Sequence, residues 1–586
     1  MAADRLVLRL ALAAFGAAAG LAGWLLLDVL RDAFAEPRLH LATVIAAAGW
    51  FGLALIYAGP LGFGRAAMGA AALALPGALL AWWAALGFSS VPQVLDAGHP
   101  LVALGLYGGF AAPVVLAALS RPGGWRDPAA VFDAVWSIAM RAAVALVFLG
   151  LAWVVIGLSD ALLGLVGVHV IERVLEIDAV PWLFSGAAIG LGLAVAQEYA
   201  ALLSPLLVLR LLRLLVPALL VVVVVFVLAL PVRGLEELLG GLSPSPVLLS
   251  MAAAGLLLVA VAVDRGPEEE VRGRAMRGAT RALALLLPLL AAAAAVSIGE
   301  RVGAHGWTPP RVVAALGAGF LLAWTLAFAL AALPGGDWPA RLRRAAVALM
   351  PVSAVLGALW LTPLVAPERW SAESQVARYT QGRLPVEELP LWEMAHRWGQ
   401  PGERAVARLS ELAEEPGAEA LRTRLAALGE TDGPRGLPVT LERAEAAALA
   451  ERLAAEIPML GEARVAEGAL AALPLFVLRD WLAACARRDA AGRPGCALLV
   501  ARLRAGAGPP QVLAFLRGPD GPVDVRAYEL ADGRLRPAGP ARDLGAGTAA
   551  VLPSGALDAL HEGRFDLAPS GARAVVVGGR RIVPDN

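Results

Sequence analysis

Apolar runs of about twenty residues, separated by short polar breaks, fill the first 366 positions; beyond Pro367 the runs shorten into amphipathic and alternating stretches. A helix needs about 20 mostly apolar residues to cross the hydrocarbon core, because only a helix satisfies its own backbone groups there. Eleven runs meet that length: 6–30, 39–58, 65–88, 100–119, 138–160, 181–203, 206–230, 246–264, 281–298, 311–333 and 345–366. Between the fifth and sixth, "DALLGLVGVHVIERVLEI" places apolar residues at helical spacing beside His169, Glu172, Arg173 and Glu176, which predicts a helix lying along the interface. The first run contains an A-x-A pattern at Ala17 and Ala19, but its apolar stretch continues to Leu30, so it is read as a span rather than a cleaved leader.

After Pro367, "LWEMAHRWGQPGERAVARLSELAEEPGAEALRTRLAALG" and "LERAEAAALAERLAAEI" predict short amphipathic helices, with "GETDGPRGLP" (429–438) as a linker. "CALLVARLR", "QVLAFLRG", "VDVRAYEL" and "ARAVVVGGRRIV" alternate or run apolar between Gly, Pro and Asp, which predicts a small antiparallel sheet. The expected fold is an all-α polytopic membrane helix bundle of about 11 spans followed by a small α+β extramembrane domain. Its parts are the bundle over 1–366, amphipathic helices at the membrane exit over 367–430, and the α+β domain over 439–586.

Composition agrees: of 586 residues, 59% are hydrophobic and 17% charged, with a mean hydropathy of +0.69. Every basic residue is arginine, and 49 basic residues balance 49 acidic ones. No run of one sign forms a nucleic-acid footprint. Basic residues resist translocation, so the distribution of arginine among the loops sets the orientation. With the amino terminus in the cytoplasm, sixteen arginines before residue 367 fall in inner loops, among them Arg5, Arg9, Arg65, Arg121, Arg210, Arg213 and Arg341, against six in outer loops. An odd number of crossings then exports the carboxy-terminal domain, in a bacterium to the periplasm.

That placement bears on the only two cysteines, Cys485 and Cys496, in "CARRDAAGRPGC". An oxidising compartment favours a disulfide, and Gly492, Pro494 and Gly495 allow the chain to turn back. In a cytosolic domain the same residues would be two buried reduced thiols. A metal site is not expected, since two Cys with no His nearby fall short of four ligands.

Three stretches, "FVLALPVRGLEELLGGLSPSP" (226–246), "ERVGAHGWTPPRVVAAL" (300–316) and "VALMPVSAVLGALWLTPLVAPERWSAESQVARYTQGR" (347–383), resemble bacterial membrane proteins carrying domain of unknown function 4153. The resemblance covers about 130–420 and implies a polytopic inner-membrane protein; it brings no catalytic residue and no cofactor. Read physically, Thr308 before Pro309 and Pro310 is placed to cap the tenth span, and Pro231 to end the seventh.

Ionisable groups deep in a bilayer are functional candidates by default. Seven of the spans carry none in their middles, which argues against a proton-coupled relay. In "VAQEYAALLSPLLVLRLLRLLVP", Glu198 near the end of the sixth span is expected to pair with Arg210 or Arg213 across the turn at Ser204 and Pro205; the two arginines are then a candidate site for an anion or lipid headgroup. Gly16 with Gly20, Gly105 with Gly109, and Gly186 with Gly190 are spaced for close helix packing. "HVIERVLEID" (169–178), with Glu172, Glu176 and Asp178, is the one acidic loop cluster a membrane transferase could use, and interfacial anchoring explains it as well. No cofactor or metal ligand set is visible. The expected partners are the lipid bilayer and an envelope protein or lipid. The expected role is a non-enzymatic envelope protein displaying an external domain, with a permease or lipid-handling transporter as the alternative.

Overall fold

The computed structural model describes residues 2–198, 206–238, 244–264, 273–429, 433, 436–461, 463–489, 491–503, 509–543, 549–569, 573–577 and 579–584. The chain separates into two compact units, Met1–Leu412 and Ala413–Asn586.

The described residues of the first unit form helices and no strand. Among the described residues, eleven helices are long and apolar enough to cross a membrane: Leu6–Val29, Pro37–Leu61, Phe63–Ala85, His99–Ser120, Pro128–Leu165, Ala179–Glu198, Leu209–Leu230, Pro244–Val263, Arg274–His305, Pro309–Ala331 and Trp338–Trp360. The fifth begins ten residues before its apolar run, because Asp127 accepts from the Ala129 amide and Pro128 occupies the first turn. The seventh extends as a helix past Pro231 to Leu238. Between the fifth and sixth, only Val170–Leu175 is helical, with none of its side chains buried.

Two large apolar cores occupy the bundle, beside a small cluster of Ala85, Phe88 and Val94. One draws Leu12, Tyr57, Leu116, Val131 and Leu193 from the first six spans. The other draws Val223, Leu248, Leu287 and Phe328 from the seventh to the tenth. The eleventh span serves both, through Ala354 in the first and Leu342 in the second. Glycines set the closest approach. A Cβ on Gly16, Gly20, Gly186 or Gly190 would overlap backbone carbonyls of the facing helix, so the first and sixth spans meet main chain to main chain. Gly105 and Gly109 have nothing nearby, and the expected packing role fails there. The fourth span instead presents Ala103 and Tyr107 to Gly357 of the eleventh, where a Cβ would lie 2.5 Å from the Tyr107 amide nitrogen.

Residues 367–412 belong to this first unit. They form Pro367–Thr380, Leu391–His396 and Gly399–Leu412. Half of the predicted linker 429–438 lies outside the described residues, as does the turn at Ser204 and Pro205.

The second unit is α+β. Its strands are β1 Met459–Gly461, β2 Cys496–Ala501, β3 Gln511–Arg517, β4 Val523–Ala531, β5 Arg534–Asp543, β6 Val551–Leu552, β7 Asp566–Pro569, β8 Arg573–Val577 and β9 Arg580–Pro584. They pair in the order β1-β2-β3-β4-β5-β9-β8-β7, with β6 on β4. All pairs are antiparallel except β1 with β2. Every residue of β2 is buried because both sheet faces are covered. Cys496, Leu498 and Val500 meet helices Gly436–Glu456 and Leu475–Cys485, while Ala497, Leu499 and Ala501 join a core with Leu557 and Leu560 of Gly555–His561. Asp532 and Gly533, both at positive φ, make the turn between β4 and β5.

The disulfide between Cys485 and Cys496, with Cα atoms 4.6 Å apart, ties the end of a helix to the start of β2, and both residues are fully buried. Its loop is organised by Asp489, whose Oδ1 accepts from the amides of Ala491 and Arg493, both at 2.8 Å, and whose Oδ2 accepts from Arg493 Nε at 2.7 Å. Arg493 reaches on to Glu562 at 3.2 Å. Removal from water alone would raise the Asp489 carboxyl, but the bonds from Arg493 and Ala491 outweigh it and bring the pKa down to about 2. Because the folded value is depressed, this contribution is complete above the unfolded value near 4 and is lost as pH falls through about 2. Asp489→Asn is therefore expected to lower hydrogen-exchange protection of the Ala491 and Arg493 amides at pH 6. The difference from wild type should narrow as pH falls toward 2, and a constant difference would contradict it.

Candidate functional site

The charged groups of the first unit gather at the two ends of the bundle. At one end Glu198, closing the sixth span, accepts from Arg9 Nε at 2.8 Å and from Arg9 Nη2, a bidentate pair. Arg213, opening the seventh span, donates to the Val261 carbonyl at 3.0 Å and pairs with Asp264, just beyond the eighth. Arg210 is exposed. Glu198 bonds to Arg9 and Arg213 to Asp264, two partners that sequence reading did not link to them. Glu198 and Arg9 stand 189 positions apart, a separation at which no local spacing signals contact. Arg213 with Asp264 was more accessible to reasoning, since both flank the hairpin of neighbouring antiparallel spans.

At this same end Arg281 donates to the Ala332 carbonyl, Arg341 to the Ala331 carbonyl and Arg343 to the Val263 carbonyl, at 2.8, 3.1 and 3.1 Å. Arginines near helix C-termini offset the partial negative charge of the last carbonyls. Every contact here joins the start of an odd-numbered span to the end of an even-numbered one, as alternating crossings require.

A cavity of about 160 Å³ opens beside this end, in the seam between the two cores. Phe132 and Trp136 of the fifth span, Leu257 of the eighth and Phe328 of the tenth line it, with Asp264 and Arg343 as its charged residues.

At the other end, residues 367–412 form a cap. His99, opening the fourth span, places Nε2 2.7 Å from Glu368 Oε1, and both side chains are only 8% exposed. The His99 ring stacks on Trp360 at the end of the eleventh span, with 12° between the planes. Gln375 Nε2 donates to the carbonyls of His305 and Trp307 at 3.1 and 2.8 Å, and Arg378 Nη1 to that of Gly303 at 3.1 Å. Ser374 Oγ accepts from the Trp307 amide. The cap therefore satisfies the exposed C-terminal carbonyls of the ninth span, which explains why "GAHGW" and "ESQVAR" belong together. Thr308 stands at the N-cap position of the tenth span but makes no side-chain cap bond, since Pro309 and Pro310 leave no amide at the first two positions. Gln400 N donates to the Gly87 carbonyl at 3.1 Å, and Ser89 Oγ donates to Glu403, fixing the cap to the loop after the third span.

Gln375→Leu takes the amide donor from the Trp307 carbonyl and leaves that of His305 only Arg311 Nη1 at 3.5 Å, at a position 2% exposed. We expect it to lower stability by about 1–3 kcal/mol, read as a fall in the thermal midpoint of the purified full chain. An unchanged midpoint would refute that role for the amide.

Among the described residues, no group of three His, Cys, Asp or Glu side chains converges as metal ligands do. His169 Nδ1 lies 3.1 Å from Glu172, an exposed local pair outside the cap and the cavity. No curated protein and no solved structure matches the chain. The eleven apolar helices, and the docking of the 300–316 stretch against the 367–380 helix, account structurally for the stretches on which the resemblance rests. One family model covers residues 14–389, starting well before the 130–420 region expected from those stretches, and the chain belongs to that family, described as Domain of unknown function (DUF4153).

Proposed function

We propose that the protein is a non-enzymatic component of a bacterial cell envelope. Its bundle sits in the inner membrane with the amino terminus in the cytoplasm, and its α+β unit is displayed outside the cytoplasm for contact with another envelope protein. The observation that carries this reading is the disulfide closed inside the core of the second unit, which fits an oxidising compartment. Alternating span contacts and the arginines clustered at the amino-terminal end support the same orientation.

Labelling of full-length protein in intact cells tests it. Asp532, 82% exposed in its side chain, is replaced in Asp532→Cys; the native cysteines, buried and oxidised, do not compete. A membrane-impermeant maleimide should label this variant in intact cells, and Pro334→Cys, in the loop after the tenth span, only after lysis. The reverse pattern sinks the orientation.

The seam cavity favours lipid handling as the second reading. A mostly apolar space with a charged residue pair at its edge suits part of an acyl chain better than a polar solute. Ala260→Trp, aimed at filling it, should remove co-purifying lipid detected by native mass spectrometry. Identical lipid content in both proteins would remove this reading.

A further inference from the structure

Two helices of the cap, Pro367–Thr380 and Gly399–Leu412, pack through Ala372, Val376 and Ala405, all buried. Beside this contact lies a cavity of about 180 Å³ with Arg369, Arg404, Arg408 and Glu373 around it. Three guanidinium groups facing one carboxylate is an unbalanced arrangement. Arg369 is the only one with an ion-pair partner among the described residues, and that partner is Glu373 on its own helix at 3.9 Å. Arg404 Nε donates to the Gln400 carbonyl one turn back at 3.2 Å. Arg404 and Arg408 are like charges at i,i+4, which disfavours the helix that holds them. The net charge of the four groups is plus two, a match for a doubly charged oxyanion.

The small side chains beneath leave the space open, and guanidinium forks match the oxygens of phosphate. The helix that carries Arg369 is the first after the eleventh span ends at Trp360, which makes membrane headgroups and free anions the two sources to test. We propose that Arg369, Arg404 and Arg408 form a binding site for a phosphate dianion, either inorganic phosphate or a phosphomonoester lipid headgroup. The site is independent of the displayed unit and of the seam cavity.

The test uses full-length protein in nanodiscs of phosphatidylcholine. One arm titrates inorganic phosphate by calorimetry; the other adds phosphatidic acid to the discs and counts bound lipid by native mass spectrometry. Saturable binding in the first arm identifies the free anion, and in the second the lipid; either supports the site. The double variant Arg404→Gln/Arg408→Gln should weaken binding at least tenfold, since each charged hydrogen bond is worth about that factor. Arg383→Gln, an exposed arginine outside the groove, should bind as wild type. All three arginines are exposed, so the variants should fold, and the thermal midpoint checks this. No saturable binding in either arm, or a folded double variant that binds as tightly as wild type, overturns the proposal.

Discussion

Gly190→Leu is expected to abolish the packing of the first span against the sixth, whereas Gly105→Leu should be close to neutral. A Cβ at 190 overlaps the Leu12 carbonyl and crowds Ala13, while Gly105 has nothing within 4 Å. Side-chain overpacking is relieved by rotamer changes and costs about 1–3 kcal/mol. Here the obstructing atoms are main chain, so no rotamer change relieves the overlap and the two helices must move apart. That displacement also breaks the bidentate bond of Arg9 to Glu198, whose side chain is 6% exposed. The combined loss should exceed the upper end of the overpacking range. We expect Gly190→Leu to give little monodisperse protein in mild detergent and Gly105→Leu wild-type yield with a midpoint within a few degrees. Equal behaviour of the two variants would contradict the close contact.

Removing the disulfide is expected to be the second largest effect. Closing the 11-residue separation between Cys485 and Cys496 restricts the unfolded chain by roughly 3 kcal/mol in the loop-entropy model. Cys485→Ala/Cys496→Ala also removes two sulfur atoms from a fully buried site, adding a small cavity. Helix Leu475–Cys485 and β2 meet at this point, so the loss falls on the core they share with Trp481 and Leu498. Hydrogen exchange on the full chain should show β2 and the 475–485 helix losing protection together, with the first unit unchanged. Loss of protection confined to the 486–495 loop would mean that the bridge only tethers the loop.

The eleven spans were legible because the bilayer demands continuous apolar length, a signal that survives any tertiary arrangement. Strands β2, β3, β4, β8 and β9 were legible from apolar runs and alternation. Strand β5 was not, because Pro537 and Pro540 argue against a strand. Over residues 534–540 it pairs with β4, and only over 541–543 with β9, so its prolines lie where one edge needs no donor. The cap could not be read as part of the bundle, since its helices are as polar as those of a soluble domain and only their contacts with His305, Trp307, His99 and Gly87 place them there. The ion pairs were legible as residue types but not as pairs: charge near a span end can be seen in one dimension, whereas Arg9 meeting Glu198 is decided by which helices adjoin.

Ribosomes deliver this chain from its amino end, and residues 303–307 leave the exit tunnel well before Gln375 and Arg378 exist. Until residues 375 and 378 are made, the Gly303, Ala304 and Trp307 carbonyls lack the cap's donors, while Arg311 can already serve those of His305 and Gly306. A product terminated before residue 375 therefore keeps this helix end open, and one terminated after residue 380 does not.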